Sequence, residues 1–252
     1  MKLDSITPLV LTWNEEPTLR RCLERLRWAK EVIILDSGST DATAAIAAEF
    51  PNVRFLVRPF DDHTTQWNFG VDASTTNWLL SLDCDYVLCP GFEDELSKLD
   101  ENSGDAFYAS FRYLIFGKAL RACLYPPRAV LFRKDRCRYV PDGHTQILSI
   151  PGTTAHLTTK IDHDDRKPLS RWFSSQDKYA KLEAEKLTAL TQLSFQDRIR
   201  RTMVLGPIVV FLYTLLARRT VLDGPHGWFY AFQRTLAEIM LSLRLLEKRL
   251  QS

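Results

Sequence analysis

The sequence predicts an α/β fold: a mixed, mostly parallel sheet with crossover helices, followed by a helical C-terminal extension. Three observations predict it. Short apolar runs alternate with amphipathic stretches from residue 6 to residue 82, which is the pattern of strand–crossover–strand units. Polar clusters follow those runs directly, at Thr12-Trp13-Asn14-Glu15, at residues 36–41 and at Asp83-Cys84-Asp85, where parallel sheets gather their ligands. Beyond residue 168 the chain turns to long amphipathic and apolar stretches rich in arginine.

The elements follow in order. Residues 6–12 form a short apolar run suited to a buried strand. Residues 15–28 read as a helix, with Pro17 in its first turn and Leu19, Cys22, Leu23 and Leu26 on one face. Residues 31–35 (EVIIL) are a second buried strand. The turn Asp36-Ser37-Gly38-Ser39-Thr40-Asp41 leads to a helix over 42–50, capped by Thr40 or Asp41. Residues 53–58 form a third strand, 66–74 a helix and 78–82 (WLLSL) a fourth strand. After residue 100 the pattern becomes mixed and antiparallel at the edge, with strands at 107–116 and 129–132 and a strand with a loop over 139–150. A long helix runs from 170 to about 193.

Composition narrows the class. The chain has 252 residues, 45% hydrophobic and 25% charged, ordinary values for a folded protein. Residues 166–252 carry 15 Lys+Arg against 7 Asp+Glu, a balance of +8, which leaves −6 on residues 1–165. A basic tail on an acidic head suits an anionic partner, lipid or nucleic acid; no nucleic-acid recognition motif accompanies it. Five cysteines without a CxxC pair fit neither a disulfide framework nor a zinc site, and suit a reducing cytoplasm. The N-terminal apolar run is too short for a secretory signal. Residues 203–217 are the most apolar segment, bracketed by Arg200-Arg201 and Arg218-Arg219. That run is shorter than the about 20 residues of a membrane span. It reads as an interfacial segment, a buried core helix or a dimer contact, and the C-terminal helices could pair into a homo-oligomer.

Chemistry concentrates at the strand ends. Asp83 and Asp85 stand two apart after a buried strand, where both can reach one hard cation such as Mg²⁺ or Mn²⁺. Such an ion would offset charge on a diphosphate leaving group. Asp36 precedes Ser37 and Gly38, small residues that let a ligand approach the backbone. His163 has the ligand chemistry of a third metal donor. No GxGxxG follows the first strand, against a dinucleotide oxidoreductase. The loop after that strand is acidic and lacks glycine, against a nucleotidyltransferase. Both aspartates of the D-x-D are present, against a catalytically dead binding or scaffold module.

Four blocks together carry a resemblance: Thr12-Trp13-Asn14-Glu15-Glu16, Leu35-Asp36-Ser37-Gly38-Ser39-Thr40-Asp41, Gln66-Trp67-Asn68-Phe69-Gly70 and Leu82-Asp83-Cys84-Asp85. They stand in the order and spacing of family 2 glycosyltransferases, and the chain resembles the smaller, lipopolysaccharide-core-type members. The likeness is clear over residues 5–100 and weaker through Gly143-His144-Thr145-Gln146, His163-Asp164-Asp165 and Leu222-Asp223-Gly224. It implies a Rossmann-like GT-A domain over 1–168, with a nucleotide-sugar half to about residue 100 and an acceptor half over 101–168. Residues 169–252 would be a helical, basic, membrane-associating extension.

The resemblance also implies roles. A sugar would pass from a nucleotide-sugar donor to a glycan or lipid-linked acceptor, with inversion, in envelope polysaccharide or lipopolysaccharide synthesis. The protein would sit at the cytoplasmic face of the inner membrane, on an anionic lipid surface. Thr12, Asn14 and Glu15 would line the nucleotide pocket, with Asp36 on the base or ribose and Ser37 and Gly38 beside it. Gln66 and Asn68 would lie near the sugar nucleotide, although the family usually has Arg or Lys at the position of Asn68. Asp83 would contact ribose or sugar, and Asp85 would ligate the metal. Inverting transfer needs a carboxylate base; Asp142 leads, with Asp164 and Asp165 as alternatives. His144 would bind acceptor or donor phosphate. Arg166 and Lys167 could pair with the diphosphate.

Overall fold

The computed structural model describes residues 1–142, 145–166, 168–190 and 192–251. The chain forms two compact units. The first comprises residues 1–112 and 125–166; the second takes 113–124 and the chain after 166.

The first unit opens with β1 (Ile6–Thr12), α1 (Leu19–Glu24), β2 (Val32–Asp36), α2 (Thr43–Ala47) and β3 (Val53–Val57). Then come α3 (His63–Ala73), β4 (Trp78–Asp83), β5 (Tyr86–Leu88) and α4 (Phe92–Lys98). Next are β6 (Ala106–Ala109) and β7 (Phe111–Ile115), which carries the chain into the second unit, where β8 (Lys118–Ala119) closes a hairpin on it. Back in the first unit lie β9 (Arg128–Arg133), β10 (Arg138–Asp142), β11 (Thr145–Ser149), β12 (Thr154–His156) and β13 (Ile161–His163).

Seven strands form the main sheet in the order β12-β6-β9-β4-β1-β2-β3. The four strands β4, β1, β2 and β3 run parallel. The sequences of β4, β1 and β2 are nearly continuous apolar runs because both faces are covered, whereas β3 at the edge is half-buried. One face packs Ile6, Val10, Ile34, Leu80 and Leu82 against Leu19 and Leu23 of α1, Ile46 of α2 and Phe92 of α4. The other packs Leu9, Ile33, Leu35 and Leu79 against Trp67 and Val71 of α3 and Tyr139 of β10. Gly70 permits the close approach of α3, since a Cβ there would stand 2.6 Å from Leu9 Cδ1. Pro8 falls one residue before the β2 ladder opens at Leu9↔Ile33, so its missing N–H removes no rung on that side.

Several elements differ from the sequence expectation. The helix expected over 15–28 is regular only at Leu19–Glu24. Arg25, Leu26 and Ala29 instead donate to carbonyls three residues back, so the helix end tightens into turns. The antiparallel strand is internal rather than at the edge: β9 lies between β4 and β6 and antiparallel to both. The strand expected over 107–116 is two strands, β6 and β7, and residues 139–150 fold as the antiparallel hairpin β10–β11. The short β5, β12 and β13 and the acidic α4 were not foreseen.

The second unit holds α5 (Leu169–Ala189), α6 (Phe195–Arg201), α7 (Leu205–Leu212) and the 27-residue α8 (Pro225–Gln251). A π-helical turn, Tyr213–Ala217, follows α7. Ala184 and Leu187 of α5 pack on Leu241 and Leu245 of α8. Arg200 ties three helices, at 2.7 Å from Glu183 and 3.1 Å from Glu238. Tyr230 is buried with Ile115 and Leu120, and its hydroxyl accepts the Leu124 N–H at 2.8 Å.

Candidate active site

Strand register builds the site. Thr12 lies opposite Asp36, Asp36 opposite Val57 and Asp83 opposite Leu11, so the polar ends of three parallel strands, β1, β2 and β4, share one edge of the sheet. Asp36 is buried and organises its own turn. Its carboxylate accepts from Thr12 Oγ1 (2.8 Å), Gly38 N (2.9 Å), Ser39 N (2.7 Å) and Ser39 Oγ (2.5 Å). A carboxylate has about four acceptor positions, and the chain itself occupies four. Gly38, at φ 89°, supplies the left-handed residue this turn requires.

The loops after β1 and β2 are joined rung by rung. Asn14 N donates to Ser39 Oγ (2.7 Å), and Asn14 Oδ1 accepts from Thr40 N (2.8 Å). Glu15 N donates to Thr43 Oγ1 (2.8 Å), and Glu16 N to Asp41 Oδ2 (3.0 Å). The buried Glu15 side chain accepts the Thr18 hydroxyl at 2.7 Å. Gln66, fully buried, donates from Nε2 to Ser37 Oγ (3.1 Å) and accepts from Arg58 Nη1 (2.5 Å). The structure thus brings Thr12, Asn14, Glu15, Asp36, Ser37, Gly38 and Gln66 into one constellation.

Asn68 does something else. Its Nδ2 donates to Tyr139 O (2.9 Å) while its Oδ1 accepts from Tyr139 N (3.1 Å), so it clips β10 onto α3. Both ends of the amide are used in this clip.

Asp83 is exposed at the end of β4, and Asp85 is buried two residues on. Cys84 between them points into the core; burial pushes its thiol well above the ordinary range, which leaves it unreactive. His163 Nε2 stands 3.4 Å from Asp85 Oδ2, placed there by the antiparallel pair His163↔Tyr86. Burial pulls the imidazole down. The charge of Asp85, its hydrogen bond and the charges of Asp83 and Asp165 outweigh this, and His163 titrates above its usual value. The rings of Tyr86 and Tyr125 meet His163 edge-on at 5.3 and 4.8 Å. His163 is therefore built to orient Asp85. Among the described residues no group of three His, Cys, Asp or Glu side chains is placed to hold a metal ion, which corrects the expectation of His163 as a third ligand. The Asp83–Asp85 pair fits an ion that takes its other ligands from phosphate and water, as Mg²⁺ does.

Asp164 is buried and clamped by two guanidinium groups, with Arg21 on its Oδ2 and Arg166 Nε donating to the same oxygen at 3.0 Å. Its amide donates to Asp85 O (3.0 Å). Asp164, expected as an alternative base, is thus engaged by Arg21, Arg166 and the Asp85 carbonyl. Arg166, expected on a diphosphate, is engaged in that cluster. Asp142 ends β10, and His144 and Lys167 lie outside the described residues.

A cavity of about 200 Å³ opens beside Asp83, lined among others by Trp67, Ser81, Tyr86, Arg128, Tyr139 and Gln146. Trp67 and Tyr139 stack at 5.3 Å, and Tyr139 donates to Ser81 Oγ at 2.9 Å. Arg128 is the one cation in this lining among the described residues, and its guanidinium lies 5.0 Å over the Tyr125 ring. These residues were missed from sequence. A second hollow, about 380 Å³ and lined by Ser5, Thr76, Asn77, Trp78 and Arg133, lies at the amino ends of β1 and β4, away from the aspartates.

Comparison with known proteins agrees with this geometry. Over 98 residues the chain is 30% identical to the lipopolysaccharide core biosynthesis glycosyltransferase LpsC of Rhizobium meliloti, which is 37% of this chain and 36% of that one. Over 111 residues it is 26% identical to an uncharacterized glycosyltransferase of Rickettsia felis, 44% of this chain and 39% of the other. The matches cover little more than a third of each curated relative. The fold is shared with the mannosyltransferase PcManGT of Pyrobaculum calidifontis, solved with GDP-Man and Mn²⁺, at a TM-score of 0.56 and 10% identity over 97% of this chain and 88% of that one. It is also shared with glucosyl-3-phosphoglycerate synthase of Mycobacterium tuberculosis, solved with Mn²⁺, UDP and phosphoglyceric acid, at 0.50 and 15% over 77% and 83%. The resemblance carried by the four motif blocks holds in both sequence and fold, and residues 9–125 match the model of glycosyl transferase family 2.

Proposed function

We propose that this protein is a glycosyltransferase that moves a sugar from a nucleotide-sugar donor to a glycan or lipid-linked acceptor, in lipopolysaccharide core or related envelope synthesis. One observation carries the reading: an exposed Asp83 and a His163-oriented Asp85 stand at the sheet edge, beside both the joined β1 and β2 loops and an aromatic cavity. The loops present backbone and hydroxyl groups to a nucleotide, with Asp36 fixing their shape. The aromatic rings suit the apolar faces of a sugar.

Asp83 and Asp85 would hold Mg²⁺ or Mn²⁺. When bound, such an ion offsets the charge gathering on the departing nucleoside diphosphate. His163 keeps Asp85 aimed at that position, a partner interaction of the kind that tunes metal ligands. With inversion, the acceptor hydroxyl attacks the anomeric carbon from the face opposite the diphosphate. A carboxylate takes its proton as the new C–O bond forms and the sugar–phosphate bond breaks. Asp142, at the end of the hairpin that walls the cavity, is assigned that role, with Asp165 as the second candidate. A lipid-linked acceptor places the reaction at the cytoplasmic face of the inner membrane.

The test is binding and hydrolysis of UDP-, GDP-, CMP- and ADP-sugars with Mn²⁺, with Mg²⁺ and with chelator, beside Asp85→Asn and Asp142→Asn. Metal-dependent binding of one donor that Asp85→Asn loses supports the reading. In Asp142→Asn, donor binding is retained and transfer is lost. Absence of binding to every donor with either metal refutes it and favours a non-catalytic module.

A further inference from the structure

We infer that α7, the turn after it and the exposed stripe of α8 form a docking surface for an anionic lipid monolayer. The surface stands on the geometry of the second unit and is independent of the transferase reading.

The apolar content is large and faces outward. Leu205, Ile208, Val209, Leu212, Leu216 and Leu222 are each between 43% and 60% exposed. Trp228 and Phe232, on the first turns of α8, are exposed and pack against Phe211 of α7 at 6.2 and 6.0 Å. The stripe continues along α8 through Ile239, Leu243 and Leu246. Folded soluble proteins rarely leave so continuous an apolar surface uncovered.

Charge selects the occupant. Between residues 198 and 222 there are five arginines and no acid. Arg200 is neutralised by Glu183 and Glu238. Arg198 and Arg218 donate to the uncharged carbonyls of Leu193 and Cys123, and Arg201 and Arg219 are exposed. Four cations that bracket the apolar segment in sequence therefore have no carboxylate partner among the described residues. A second copy docked about a twofold axis would bring in the same cations again, whereas phosphate headgroups complement them.

Dimensions set the depth. Helix α7 and the turn after it span 13 residues, 205–217, or roughly 20 Å at 1.5 Å per residue, against about 30 Å of hydrocarbon. No helix among the described residues is long and apolar enough to cross a membrane. The element lies in the headgroup–acyl boundary, with Trp228 at the level aromatic residues favour.

The experiment is co-sedimentation of the full chain with phosphatidylcholine vesicles, with and without phosphatidylglycerol, at low and high salt. It is run beside Ile208→Ser/Leu212→Ser and Arg201→Gln/Arg219→Gln, with sedimentation velocity and thermal unfolding of each protein. The parent is expected to bind the anionic vesicles and to release in high salt. The serine pair binds at least tenfold more weakly. The glutamine pair loses about 30-fold, from about fivefold per surface charge. All three unfold at similar temperatures, because the substituted side chains are exposed. Failure of the parent to bind anionic vesicles overturns the inference, as does equal binding by both variants. A parent dimer that dissociates in the serine pair also overturns it and assigns the surface to a second copy.

Discussion

Replacing Asp36 with asparagine separates a turn-organising carboxylate from a ligand-binding one. In the parent this buried group accepts four hydrogen bonds, two from backbone amides and two from hydroxyls. Asparagine can keep its carbonyl toward the Gly38 and Ser39 amides, which can only donate, and turn its NH₂ toward the Thr12 and Ser39 hydroxyls, which can reverse and accept. The two reversed hydroxyl protons lose the carboxylate as their acceptor. The loss is the difference between charge-assisted and neutral bonds, about 1 kcal/mol for each of four, and about 2–4 kcal/mol after hydroxyl reversal recovers part. Thr12→Val removes one of the four and costs about 1 kcal/mol on the same scale. Denaturant unfolding measures both, and the larger change lowers the melting temperature by about 5–15 °C for a chain of this size. The reasoning is refuted if Asp36→Asn unfolds with the parent and loses only nucleotide affinity by calorimetry. Asp36 would then be spent on the ligand, and the Gly38 and Ser39 amides would hold the turn without it.

Three further predictions follow from the same geometry. Arg128→Gln removes the one cation of the aromatic cavity among the described residues; kcat/KM for transfer should fall about 10- to 100-fold, the range for a lost charged contact, with unfolding unchanged because Arg128 is exposed. Gly70→Ala drives a Cβ onto the Leu9 methyls and should cost about 1–3 kcal/mol in denaturant unfolding, with β1 and α3 the elements that separate. Burial raises the Glu95 carboxyl, but hydrogen bonds from the Thr158 amide and hydroxyl and the Thr159 amide outweigh it and hold it below the ordinary range. A depressed carboxyl stabilises above its unfolded value, about 4.3, and that contribution disappears as pH falls through the folded value. Melting temperatures of parent and Glu95→Gln should therefore differ at pH 7 and converge below about pH 4.

The inner parallel strands β2 and β4 were legible because they are buried on both faces and read as apolar runs, VIILD and WLLSLD. Asp36, Asp83 and Asp85 were legible for the related reason that they end such runs. The three-residue strands YVL, TAH and IDH have no period to read; long-range pairing alone makes them strands. The cavity residues were hidden in the same way, since Arg128, Tyr139 and Gln146 come from antiparallel strands whose register no local pattern specifies. His163 and Asp164 show a different limit. Residue type marked both as chemical, but β13 pairing turns one toward Asp85 and leaves the other to Arg21 and Arg166, and no spacing rule foretells which.

The segment 113–124 has a temporal consequence. It is made before β9 to β13, yet its partners Tyr230 and Asp223 come more than a hundred residues later, through the Leu124–Tyr230 hydrogen bond and the Arg121–Asp223 ion pair. On a ribosome that adds roughly 5–20 residues per second, Ile115 and Leu120 stay uncovered for several seconds after emerging. A stop codon near residue 166 would leave them uncovered for good. The expected product is a chain retained by chaperones rather than a smaller working enzyme.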